Sequence, residues 1–182
     1  MENKLVVKKE LTKFQTIILY FFVYAFLGWL IETFYAYTVY HHFVNRGFLV
    51  GPLCPIYGYG AVILTSFLSK YKNHSLKLFV YSALIFSAFE YIAGFALDAL
   101  FAERWWDYTN EFLNLNGRIS ILYSFVWGIL ALLLVNHIHP FIEKTIRNFS
   151  LKIPHIMQLL LLYICTFLYI ADTIYSAINY LI

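Results

Sequence analysis

Five apolar stretches, at about 14–38, 54–69, 77–101, 119–138 and 156–181, leave this chain few ways to fold. All but the second have the roughly 20 residues a helix needs to cross about 30 Å of hydrocarbon. The composition points the same way. Of 182 residues, 62% are hydrophobic, 21% aromatic and only 13% charged, whereas soluble domains carry about 25% charge. The expected fold is therefore all-α: a polytopic helix bundle of five transmembrane helices, in one membrane domain over 14–182 behind a basic tail over 1–13. The second stretch, CPIYGYGAVILTSFLS, is short and glycine-rich, so it predicts a tilted or partly broken span. The run from Phe14 to Tyr40 is too long for a cleaved signal segment and reads as a retained first span.

Lysine and arginine set the orientation. Lys4, Lys8, Lys9 and Lys13 precede span 1; Lys70, Lys72 and Lys77 lie between spans 2 and 3; Lys144, Arg147 and Lys152 lie between spans 4 and 5. Only Arg46, Arg104 and Arg118 occupy the alternate loops. Ten against three places the N-terminus inside and the C-terminus outside. The basic residues flank spans and form no separate basic domain, which argues against nucleic acid as a partner and for a lipid bilayer. Between spans 4 and 5, Ile142, Ile146, Phe149 and Ile153 share one face of a basic amphipathic helix over about 140–153. That helix either lies on anionic lipid or docks a cytoplasmic partner.

Ionisable residues inside the spans mark where function is to be sought. Read as a helix, Ala83, Ser87, Glu90, Gly94 and Asp98 fall within roughly 80° of one another. Glu32 occupies a similar place in span 1. In span 5, Asp172 shares a face with Cys165, Tyr169, Ser176 and Asn179. Counted from the inner ends at 1.5 Å per residue, Glu32, Glu90 and Asp172 lie roughly 20–27 Å in, within the outer half. Arg46, Arg104 and Arg118 approach that depth from outside. The expectation is a polar pocket open to the outer face, walled by spans 1, 3 and 5. Arg118, after Asn116-Gly117, is suited to holding a phosphate or carboxylate through paired hydrogen bonds. Trp105, Trp106 and Tyr108 read first as an aromatic belt, and second as a stacking platform.

The chain also suggests an internal duplication. GPLCPIYGYGAVIL from Gly51 aligns without a gap with GRISILYSFVWGIL from Gly117, matching Tyr57 with Tyr123. Each copy follows a helix with one glutamate, Glu32 or Glu90. Two spans per unit make this a parallel repeat of spans 1–2 and 3–4. Gly51-Pro52-Leu53-Cys54-Pro55 breaks the chain at the entrance to span 2. Cys54 and Cys165 form no CxxC motif, and the histidines offer too few converging ligands for a metal site. No hydrolase or nucleotide-binding motif is present, so no cofactor and no catalytic residue is assigned.

Together, FLGWLIETF, RGFLVGPLCPIYGYG, FEYIAGF and RWWDYTNEFLNLNGRISILYSFVWG resemble the CmpB-like "type IV" family of small bacterial ABC-transporter permeases over about residues 18–135. The resemblance implies a transport role, and motif positions at Glu32, Arg46, Gly51, Pro52, Cys54, Pro55, Tyr57, Gly58, Glu90, Trp105, Trp106, Asp107, Tyr108, Asn116, Gly117 and Arg118. An ATPase would have to be a separate subunit docking at 140–153, and a homo-oligomer stays open. The leading expectation is a multi-pass transport component of the cell (cytoplasmic) membrane that binds a small polar or anionic solute, or a lipid headgroup. Its site would comprise Glu32, Arg46, Glu90, Trp105, Trp106, Asp107, Asn116, Arg118 and Asp172. Two alternatives remain. One is a membrane-embedded enzyme acting on a lipid-linked substrate, with Glu90 or Glu32 as general base. The other is a non-catalytic chaperone or sensor subunit.

Overall fold

A computed structural model of the protein describes residues 10–182. Lys4, Lys8 and Lys9 of the basic tail lie outside the described residues. Within them the chain is helical, and its only extended pairing is an isolated bridge between Leu115 and Ile119. Helix α1 is Lys13–Tyr40, α2 is Pro55–Ile63, α3 is Ser75–Phe101, α4 is Ile121–Leu133, α5 is His139–Ser150 and α6 is His155–Leu181. Four continuous helical segments are long and apolar enough to cross a membrane: Lys13–Tyr40, Ser75–Phe101, Ile121–Ser150 and His155–Leu181.

Local chemistry sets the ends. Thr12 and Gln15 form a capping box at the start of α1, each side chain accepting from the other's backbone N–H at 3.3 and 2.9 Å. Pro55 opens α2, where its missing N–H costs nothing. Ser120 caps α4 through the Tyr123 amide. The second apolar stretch is irregular, but beyond its glycines, which lie within regular α2. Nine residues of α2 pass into a π turn at Leu64–Leu68 and a 3-10 turn at Ser69–Tyr71. A second π turn, Leu134–Ile138, joins α4 to α5 without a break. The amphipathic segment therefore continues the preceding helix. Part of its apolar face meets protein: Ile142 is buried with Tyr24 and Ala61, beside Tyr20 and Ile146, while Phe149 stays exposed. Glu143, Lys144, Arg147 and Asn148 stay exposed.

The helices associate as two hairpins, α1 with α2 and α3 with α4. Each has a close contact between a glycine and a phenylalanine. A Cβ on Gly58 would lie 2.8 Å from the Phe21 carbonyl oxygen and 2.7 Å from its ring. A Cβ on Gly128 would lie 2.6 Å from the Phe79 ring. Phe21 and Phe79 each stand eleven residues before a glutamate, Glu32 or Glu90. The contacts thus match Tyr57-Gly58, Ala61 and Leu64 with Trp127-Gly128, Ala131 and Leu134. This register is one helical turn away from the alignment of Tyr57 with Tyr123. Both π turns then coincide as well. Small residues at such contacts let membrane helices approach closely where no hydrophobic effect drives them together.

Filling the first of these contacts tests the packing. Gly58→Ala is expected to destabilise the fold by about 1–3 kcal/mol, seen as a lower thermal unfolding midpoint in detergent. An unchanged midpoint would contradict the contact.

Candidate functional site

The two intramembrane glutamates are satisfied by aromatic donors. Tyr57, on α2, donates its hydroxyl to Glu32 Oε1 at 2.5 Å. Arg46 Nε lies 3.8 Å from Glu32 Oε2, an ion pair of long reach. Glu90 is buried and accepts from the Tyr108 hydroxyl at 2.9 Å and from Trp127 Nε1 at 3.0 Å. Among the described residues no lysine, arginine or histidine comes within 4.0 Å of it. The Tyr57 and Trp127 rings meet edge to face with centroids 6.4 Å apart, so the two carboxylate sites adjoin. Tyr108 stacks on Tyr123 at 4.1 Å. Burial, followed by the Glu90 charge, pushes the Tyr108 phenol well above its ordinary pKa, so it stays a donor at neutral pH.

The arginines of the long loop serve a different acid. Arg118 Nη2 bonds Asp98 at 2.6 Å, while Arg104 Nε lies 3.7 Å from the same carboxylate and its Nη1 lies 3.8 Å from Asp107. The Trp106 indole donates to the Arg118 carbonyl at 3.0 Å, and Asn116 donates to the Tyr91 hydroxyl at 3.0 Å. Asp107 accepts from the Thr109 hydroxyl and, at 2.9 Å, from its amide. Those bonds hold its carboxyl below the usual range. Gly117 has φ +68°, and a Cβ there would lie 2.6 Å from Thr109 Oγ1, so the loop needs a glycine at that turn. The space among Arg104, Trp106 and Arg118 is about 10 Å³, the size of one water.

Asp172 also organises a loop. Its carboxylate accepts from the amides of Val50 and Gly51 at 3.2 and 2.9 Å, and from Ser176 at 3.2 Å. These bonds fasten the Gly51-Pro52 turn to α6. Cys54 is buried and donates its amide to the Ala25 carbonyl at 2.9 Å, which fixes where Pro55 begins α2. Trp105 packs with Phe48, Phe101 and Tyr180. The expected acids and arginines are thus divided among separate clusters. Of them only Glu90 lines the centre, and Glu32 reaches it through its partner Tyr57.

At that centre lies a cavity of about 180 Å³ between the two hairpins, walled by α1 to α4 and their π turns, without α6. Its lining is almost wholly apolar, including Leu27, Phe86, Phe89 and Leu130. Glu90 and Tyr57 sit at one end and Tyr24 at the other, where the Tyr24 hydroxyl meets His139 Nδ1 at 2.8 Å. Sequence reasoning missed Trp127 as a carboxylate partner and Asp98 as the arginines' anchor. The recurring aromatic-glycine pair, Tyr57-Gly58 and Trp127-Gly128, was the signal that could have exposed the first.

Apolar helices, a buried carboxylate and a cavity between hairpins define a multi-pass helical membrane protein. Residues 19–177 match the family described as "Putative ABC-transporter type IV", and the chain belongs to that family. No curated protein and no solved structure matches it.

The loop arginines should differ in weight. Arg118→Gln removes the short, largely buried bond to Asp98 and is expected to cost about 1–3 kcal/mol. Arg104→Gln, longer and more exposed, should cost less than about 0.5 kcal/mol. Thermal unfolding of both variants in detergent measures the ranking, and equal losses would contradict it.

Proposed function

We propose that this protein is the membrane-embedded subunit of an ABC-type transport system of the cell membrane, and that it lodges an amphiphilic passenger in the central cavity. The carrying observation is that cavity: about 180 Å³, apolar along its walls, with a buried carboxylate at one end. Such a site suits a molecule that arrives through lipid better than a fully hydrated solute. In this reading Glu90 meets the passenger's head, and Tyr57 ties the Glu32–Arg46 pair to the same end of the cavity. Trp105, Trp106, Asp107, Asn116, Arg118 and Asp172 hold the outer loops that cover it, because each already has a partner within those loops or ties a loop to α3 or α6.

The topology proposed with it has five spans in one membrane domain, with α2 and its irregular turns as the short one. The ten-to-three bias of basic residues supports an inner N-terminus and an outer C-terminus. The matched glycine–phenylalanine contacts and π turns support a parallel repeat of the two hairpins. On the inner side α5 offers a charged face to a separate ATPase or other cytoplasmic partner, Ile142 and Ile146 on its other face packing on α1.

Crosslinking in cells followed by purification tests the assembly. An ATPase subunit should be recovered with the wild-type chain and lost on joint Lys144→Glu and Arg147→Glu substitution, by about tenfold. Recovery of the chain without an ATPase, whatever the face carries, would overturn the proposal.

A further inference from the structure

The chemistry of the passenger follows from the charge at the cavity's end, given the reading above of the cavity as the passenger site. The wall from Trp127 to Ile138 spans eleven steps of continuous helix, roughly 16 Å at 1.5 Å per residue, which suits an alkyl chain of about a dozen carbons. Between those ends the lining is hydrocarbon and aromatic, with Leu64, Phe86, Phe89 and Leu134 along it. An apolar space of this kind holds water poorly.

The head end is not neutral. Glu32 has Arg46 as a counter-charge at 3.8 Å. Glu90 has only two hydrogen-bond donors, the Tyr108 hydroxyl and the Trp127 indole, and no cation within 4.0 Å among the described residues. Glu90 is 4% exposed and lines the cavity. Hydrogen bonds spread a carboxylate's charge but do not cancel it, and in hydrocarbon such a group calls for an opposite charge or a proton. A phosphate or fatty-acid head would add a second negative charge beside it. A protonated amine would cancel the first. Aromatic rings line the cavity around that point: Tyr57, Phe86, Phe89 and Trp127, with Trp127 stacked on Phe86 at 5.3 Å. Such rings attract ammonium groups.

We propose that the cavity between the two hairpins binds a single-chain amphiphile with a protonated amine head, the ammonium beside Glu90 and the alkyl chain running toward Tyr24 and Ile138. The amphiphile could enter from the bilayer as a lipid-derived amine or from solution as a free alkylamine. The recognising chemistry is the same for both. Preloading the probe in the membrane or adding it from the aqueous side separates the two sources.

The test uses the full chain in phosphatidylcholine nanodiscs, with a diazirine-bearing dodecylamine as photolabel and dodecylamine, dodecanol and dodecanoate as competitors. Labelling is expected at Phe86, Phe89 or Leu130, with dodecylamine competing about tenfold better than the other two. Glu90→Gln should erase that preference and leave the weak competition by dodecanol unchanged. The wild-type ranking is read without any variant, so the proposal is tested even if Glu90→Gln does not fold. Equal competition by amine and alcohol on the wild type would mean that Glu90 is met by a proton, and would overturn the proposal. Labelling outside the cavity, or best competition by dodecanoate, would overturn it too. No ATPase is needed for this measurement, so its failure is distinguishable from failure of the transport assignment.

Discussion

A carboxylate inside hydrocarbon must find donors on a neighbouring helix, and this requirement organises the centre of the molecule. Glu32 on α1 finds Tyr57 on α2, and Glu90 on α3 finds Trp127 on α4. Each bond crosses its own hairpin, so each glutamate fixes the rotation of two helices at once. The cost of an unpaired carboxylate at a helix centre is about 2.5–3.5 kcal/mol on the mildest scale. That exceeds the typical worth of any one van der Waals contact at the same interface. The glycine–phenylalanine contacts lie further along the same helix pairs and set how closely they approach.

The two hairpins meet across Tyr57 and Trp127, the residues that also hold the carboxylates. One hairpin closes its site with an arginine and the other with a phenol from the long loop. This asymmetry leaves a single uncompensated carboxylate beside an apolar cavity. The arginines that might have met it are held at Asp98, two turns further along α3.

Helix length and the presence of intramembrane acids were legible in the sequence, because apolar runs and isolated carboxylates are visible without any partner. The partners were not. Asp98 and Glu90 share a helix face, so the pattern alone could not fix which one the loop arginines reach. The pairing of Tyr57 with Tyr123 slipped by one turn because leucine, isoleucine and valine interchange freely along an apolar helix. Only the aromatic-glycine pairs carry register. Amphipathicity of α5 showed that Ile142 and Ile146 need a cover. It could not distinguish lipid from the Tyr20–Tyr24 surface of α1 that covers them. Asp172 read as a pocket acid; two backbone amides four elements away in the chain claim it instead.

The most direct measurement of the central claim is a pair of double-mutant cycles on unfolding in detergent, Glu32→Gln with Tyr57→Phe and Glu90→Gln with Trp127→Phe. Charged hydrogen bonds across each hairpin predict a coupling of about 1–3 kcal/mol in both cycles. Additive losses, with coupling indistinguishable from zero in both, would contradict the account.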